Sequence, residues 1–78
     1  MQWETYIVSE KDILLGKPTI KGTRISVELI LELLSTGWTE EMIIQGYPHL
    51  TREHLQAVFL YLKDCMQHEL LFPLPKSA

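Results

Sequence analysis

Two short amphipathic segments separated by a turn-forming stretch lie between residues 39 and 62, TEEMIIQGYPHLTREHLQAVFLYL. Each begins at a threonine, Thr39 or Thr51, whose hydroxyl can accept a hydrogen bond from the free amides at a helix start. Between them, Gly46 can take the left-handed conformation that ends a helix. Pro48 cannot donate the hydrogen bond that a continuing helix needs. The stretch therefore predicts two helices joined by a tight turn, a helix-turn-helix.

The second of these segments has the spacing of a helix with one buried face. Its apolar residues fall at i, i+3, i+4 and i+7: Leu55, Val58, Phe59 and Leu62. Cys65 and Met66 continue that face, so we expect the helix to run from about Arg52 to His68. A single thiol on an apolar helix face is more typical of a core residue than of a nucleophile.

An earlier segment predicts a third, more apolar helix. Ser26 can cap its start and Gly37 can end it. Its apolar residues form one wide face: Val27, Leu29, Ile30, Leu31, Leu33 and Leu34. Apolar residues around so much of the circumference indicate that the helix is covered on two sides, by the other helices or by a partner subunit.

The N-terminal part is typical of extended chain and loops. β-Branched and aromatic residues at 5–9 predict a short strand. Glycines and a proline punctuate the stretch that follows, which fits a small hairpin with residues 18–20 and 23–25 extended.

The charge of the chain is unevenly distributed. The formal net charge of −3 does not favour nucleic-acid binding by bulk electrostatics. Residues 11–24, however, hold four basic residues and one acid, a net charge of +3, which leaves −6 for the rest of the chain. A basic arm is therefore attached to an acidic body.

Size and hydropathy set further expectations. A chain of 78 residues buries a modest fraction of its surface, so we expect association, with a homodimer as the default. The sequence has no secretory signal and no membrane-spanning run, which indicates a cytoplasmic protein with no membrane partner.

The helix-turn-helix and the basic arm lead to a DNA-binding hypothesis. In such a motif the first turns of the second helix enter the major groove. There Arg52 and Gln56 can make bidentate contacts to guanine and adenine. Lys17, Lys21 and Arg24 lie along the glycine-flexed arm, where they can contact phosphates.

A structural explanation of the same basic residues stays open. Lys17 and Lys21 can be solvated loop lysines, and Arg24 can pair with Glu28, four residues further on at a helix start.

The tail, residues 69–78, leads to a second hypothesis. It cannot stay helical through its two prolines, yet it holds four large apolar residues: Leu70, Leu71, Phe72 and Leu74. Such a segment can bind a partner protein, or it can close the core of a homodimer.

The sequence offers little chemistry for catalysis. His49, His54 and His68 lack the i, i+4 spacing of a helical metal pair. The segment GKPTIKG lacks a Ser or Thr after its GK and precedes extended chain, unlike a phosphate-binding loop. We expect no enzymatic activity, no metal site and no cofactor.

Three blocks of the chain together resemble a known family. They are GKPTIKGTRISVELIL at 16–31, TGWTEEMIIQGYPHLT at 36–51, and the REHLQAVF that opens the last helix. The first block is specific because its glycine, lysine, proline and GTR triplet occur together at fixed spacing. The resemblance is to the bacterial domain-of-unknown-function family 433. Ser26 stands where that family often has proline, and Trp38 replaces a smaller or polar residue.

The resemblance implies a fold and a role. The implied fold is mainly α, a three-helix homeodomain-like helix-turn-helix bundle with a short N-terminal β element. We expect a single domain over 1–78, with a β arm at 1–25, a helical core at 26–68 and a tail at 69–78. Many members resemble the antitoxin half of a toxin–antitoxin operon, which implies a DNA operator and a PIN-like toxin as partners. No catalytic residues come with the resemblance.

Overall fold

A computed structural model describes residues 1–68, which form three α-helices and a short antiparallel sheet. The strands and helices are β1 (Ile7–Val8), β2 (Thr19–Ile20), α1 (Val27–Ser35), α2 (Glu40–Gly46) and α3 (Arg52–Gln67). Single 3-10 turns lie at Trp3–Thr5 and Leu14–Gly16. The predicted fold class, mainly helical with a short N-terminal β element, is confirmed. The predicted partner-binding residues of the tail lie outside the described residues: Leu70, Leu71, Phe72 and Leu74.

The sheet pairs strands that lie on either side of a long loop. Ile7 pairs with Ile20, and Val8 with Thr19. The expected hairpin between 18–20 and 23–25 is reduced to one bridge, between Thr19 and Ser26. Its second strand does not form because the chain turns tightly after Ile20, whose carbonyl oxygen accepts both the amide and the hydroxyl of residue 23, at 3.0 and 2.8 Å.

The first two helices begin where the sequence predicts. The Ser26 hydroxyl accepts the Leu29 amide at 2.9 Å, and the Thr39 hydroxyl accepts the Met42 amide at 3.1 Å. Each contact satisfies an amide that has no partner inside the helix. Gly37 follows α1 with a φ of 102°, a conformation that favours glycine.

The prediction that Gly46 takes a left-handed conformation is wrong. Gly46 is the last residue of α2, and the chain leaves the helix through Tyr47 at φ −127° and ψ 82°. An extended exit of this kind needs no positive φ. Gly46 instead allows a close approach, because a Cβ built on it would lie 3.3 Å from Cζ3 of Trp38.

The core lies where the sheet and all three helices meet. Its fully buried apolar side chains come from every layer: Ile20, Ile30, Ile43, Leu50, Leu55 and Val58. Cys65 is buried, as predicted. Phe59 and Met66 were predicted on the buried face of α3, but they are 46% and 67% exposed.

The N-terminal 3-10 turn explains why the buried face of α3 differs from the prediction. Trp3 donates its indole N–H to Oδ2 of Asp64 at 2.6 Å. Its ring meets the ring of Tyr61 edge-on, with 4.9 Å between centroids. Tyr61 and Asp64 lie on a different face of α3 from Phe59. The N-terminal turn covers that face, so Phe59 stays exposed. Burial raises the pKa of Tyr61, and the neighbouring Cys65 thiol raises it further.

Candidate nucleic-acid interface

The start of α3 is fixed by a reciprocal pair of hydrogen bonds. The His54 amide donates to the Thr51 hydroxyl at 3.5 Å, and the Thr51 amide donates to Nδ1 of His54 at 3.0 Å. This is a capping box in which histidine takes the place of the usual Glu or Gln. The sequence predicted the threonine cap but not the role of His54, although a polar side chain three residues after Thr51 was a usable signal.

The basic arm is anchored beside this first turn. The rings of Tyr6 and His54 meet edge to face, with 5.3 Å between centroids. The Lys21 amide donates to the carbonyl oxygen of Tyr6 at 2.8 Å. Tyr6 therefore links the backbone of Lys21 to the first turn of α3, and the Lys21 side chain is exposed.

The other arm cations are placed differently. Nζ of Lys17 lies 3.5 Å from Oε2 of Glu28, in the first turn of α1. The structure therefore contradicts the alternative that Arg24 pairs with Glu28, because Lys17 reaches that carboxylate across the loop. Arg24 is exposed and has no ion pair within residues 1–68. Of the three cations predicted to contact phosphates, Lys21 is the one that Tyr6 links to α3.

One exposed stripe runs the length of α3. Arg52 and Gln56, the predicted base-reading residues, are exposed and four residues apart, so they share a helix face. Phe59, Lys63 and Met66 continue the same stripe at i+7, i+11 and i+14 from Arg52. The stripe is polar in its first half and largely apolar in its second half.

The two halves of this stripe border two shallow grooves. The first, of about 350 Å³, lies between α2 and α3 and is lined by Glu41, Ile44, Gln45, Leu50, Thr51 and Arg52. The second runs along the end of α3 and is lined by Phe59, Leu62, Lys63, Met66 and Gln67.

Acidic side chains balance the arginine at the start of α3. Arg52 Nη2 lies 3.5 Å from Oε1 of Glu41 on α2, and both side chains are mostly exposed. The pKa of Glu53 is lowered by a hydrogen bond from its own backbone amide and by another from the Thr51 hydroxyl. Glu53 therefore stays ionised at neutral pH, so the first turn of α3 is not electropositive by itself.

No cluster of three or more His, Cys, Asp or Glu side chains within residues 1–68 could hold a metal ion. None of the helices formed there has both the length and the apolar character needed to cross a bilayer.

Comparison with known proteins places the chain in a family. The model of the family described as "Protein of unknown function (DUF433)" matches residues 7–62. A solved structure of a DUF433 member protein from Anabaena variabilis is similar in fold, with a TM-score of 0.73 and 26% sequence identity. That match covers 80% of this chain and 61% of the other, so this chain spans about three-fifths of that relative's length. Comparison with curated proteins gives no match. The resemblance drawn from the sequence is confirmed, and the chain belongs to the DUF433 family.

Proposed function

We propose that this protein is a non-catalytic DNA-binding regulator of antitoxin type that acts in the cytoplasm. One observation carries the proposal: Arg52 and Gln56 share the exposed face of α3 at its capped start, and Tyr6 links the backbone of Lys21 to that first turn. The order of α2, a short turn and α3 fits a helix-turn-helix in which α3 would be the recognition helix.

The spacing of the two polar side chains suits base reading. Residues four apart on a helix are separated by about 6 Å along its axis, which is close to two base steps of about 3.4 Å each. Arginine binds guanine O6 and N7 in a bidentate contact, and glutamine binds adenine N6 and N7 in the same way. We therefore expect Arg52 and Gln56 to contact bases that are about two positions apart.

Phosphate contacts come from the arm in this proposal. Lys21 and Arg24 are exposed, and Lys17 is held only by a surface ion pair. Such pairs contribute about 0–1 kcal/mol, so a phosphate can replace Glu28 as the partner of Lys17 at little cost.

A salt titration tests the proposal. The fluorescence anisotropy of a labelled, random-sequence DNA duplex is measured with the wild type and with a Lys21→Ala/Arg24→Ala variant. We expect the slope of log affinity against log salt to become shallower by about 2 in the variant. A Lys63→Ala/Lys76→Ala variant removes the same charge outside residues 11–24 and is the matched control. Equal slopes in the two variants would remove the arm from the interface, and no binding by the wild type would overturn the proposal.

A second candidate function, protein binding, is favoured by the apolar half of the α3 stripe. Phe59 and Met66 leave large apolar surface exposed beside the half-buried Leu62. Surface of this kind fits a second copy of the chain or a PIN-like toxin.

Deletion of residues 70–78 tests the predicted role of the tail. The truncated chain is expected to lose capture of a PIN-like partner and to keep its helical circular dichroism, whereas unfolding would assign the tail to the core.

A further inference from the structure

The ion pair between Glu41 and Arg52 joins the two helices of the proposed DNA-binding motif. It spans the mouth of the groove between α2 and α3, and its side chains are 75% and 68% exposed. Glu41 thus neutralises the arginine that would read a base, and DNA must displace this carboxylate to reach it.

We propose that Glu41 is a positioning residue, which holds Arg52 at the lip of this groove and so weakens the binding of any DNA that Arg52 must contact. The inference rests on the proposed function. It differs from it in naming a residue that makes no favourable contact with DNA and acts through Arg52.

The relative strengths of the competing contacts support this role. An exposed ion pair changes an equilibrium by at most about fivefold. A bidentate arginine–guanine contact discriminates between bases by about fivefold to more than a hundredfold, so guanine can displace Glu41. A single phosphate oxygen offers Arg52 a contact of the same kind as the carboxylate does, and Glu41 is itself repelled by the DNA backbone. Glu41 therefore lowers affinity by up to about fivefold in any complex in which Arg52 has to leave it, the specific one included.

The chain supplies a matched control in the adjacent residue. Glu40 is exposed and also lies in the first turn of α2, so it carries the same charge and the same interaction with the helix dipole. It has no ion pair with Arg52 in the described part of the chain. Glu40→Gln and Glu41→Gln therefore differ in the contact with Arg52 and not in net charge.

The experiment measures each variant on two probes at fixed salt. One probe is a random-sequence duplex, and the other is the duplex that in vitro selection with the wild type enriches. We expect Glu41→Gln to bind the random duplex about three- to fivefold more tightly than Glu40→Gln does. The selected duplex should gain by at least the same factor, because Arg52 has to leave Glu41 in that complex as well. In an Arg52→Gln background the two glutamine variants should become equal.

The outcomes test the inference separately from the proposed function on which it rests. Equal binding by Glu40→Gln and Glu41→Gln would overturn the inference, while DNA binding by the wild type upholds the function. Tighter binding by Glu41→Gln than by Glu40→Gln that disappears in the Arg52→Gln background would support both. Absence of binding by the wild type would overturn the proposed function, and the role of Glu41 with it. The melting temperatures of both variants should fall because each loses a carboxylate at the same helix start, and that of Glu41→Gln should fall slightly further because it also loses the ion pair.

Discussion

Two neighbouring leucines adopt a backbone conformation that leucine seldom takes. Leu14 and Leu15 have φ values of 50° and 57°, and Gly16 follows at 82°. The left-handed region costs a residue with a Cβ about 1–2 kcal/mol. Leu15 is also 95% exposed, so burial of its side chain does not offset the cost. The loop before β2 therefore stores strain at Leu15, whose side chain makes little contact within the chain.

Replacing Leu15 by a residue that tolerates this conformation should stabilise the fold. We expect Leu15→Asn to raise the free energy of unfolding by about 0.5–1 kcal/mol, because asparagine enters the left-handed region at lower cost. Leu15→Val should lower it, since a β-branched side chain fits that region worst. Urea denaturation measures both changes as shifts in midpoint at constant slope. A loss of stability in Leu15→Asn would mean that Leu15 makes a stabilising contact in solution.

A second single-residue test removes the hydrogen bond between Trp3 and Asp64. Trp3→Phe keeps an aromatic ring against Tyr61 but removes the indole N–H that lies 2.6 Å from the carboxylate. We expect a loss of about 1–2 kcal/mol in the free energy of unfolding. Asp64→Asn keeps an acceptor oxygen and should cost less, and adding it to Trp3→Phe should cost almost nothing more. Additive losses would show that the two side chains do not interact.

The helix starts illustrate what local sequence can predict. Each cap depends on a side chain and an amide three residues apart, so Ser26, Thr39 and Thr51 could be identified without the fold. The exposure of Phe59 could not be predicted in this way, because it depends on Trp3, which packs on α3 from the other end of the chain. Pattern spacing identifies a helix and its approximate apolar face. Contacts that are distant in sequence decide how that face is rotated.

In the candidate site too, some features could be predicted from the sequence and others could not. The exposure of Arg52 and Gln56 followed from helical spacing, and the placement of a basic arm beside α3 was expected from the sequence. The ion partners were not predictable, because Glu41 meets Arg52 across a turn and Lys17 reaches Glu28 across a loop. Surface ion pairs depend on how elements are oriented, which composition and periodicity do not specify.

The cap of α3 provides a test of the role proposed for this helix. Thr51→Ala removes the acceptor for the His54 amide, and we expect a loss of about 1 kcal/mol in the free energy of unfolding. Hydrogen exchange of that amide should accelerate, and affinity for a DNA duplex should fall because the first turn of α3 frays. Thr51→Ser should behave like the wild type. Thr39→Ala, which loosens α2 instead, is the control. An equal loss of DNA affinity in Thr39→Ala would attribute the effect to general destabilisation.

The length of α3 suggests how the whole molecule divides its surface. The helix has 16 residues, about 24 Å, of which the first two turns carry Arg52 and Gln56. Arg52 lies about 16 Å along the axis from the midpoint between Phe59 and Met66. If two copies pair their apolar halves antiparallel, their Arg52 residues are about 32 Å apart. This is close to the separation of about 34 Å between half-sites one turn of DNA apart. The exposed apolar half and the polar half of one stripe are therefore compatible with a two-fold symmetric regulator.

This arrangement predicts a dimer that depends on the end of α3. Phe59→Gln/Met66→Gln should raise the dimer dissociation constant, measured by sedimentation velocity, by more than about tenfold, because apolar side chains at the centre of an interface carry most of its free energy. Leu15→Gln removes an even more exposed apolar side chain from another surface, so it should leave the constant unchanged. The double variant should also bind a single DNA half-site as the wild type does, while losing the gain in affinity that two half-sites one turn apart provide. A dimer broken by Leu15→Gln and not by the double variant would move the contact to the N-terminal loop, and the half-site spacing derived from α3 would no longer hold.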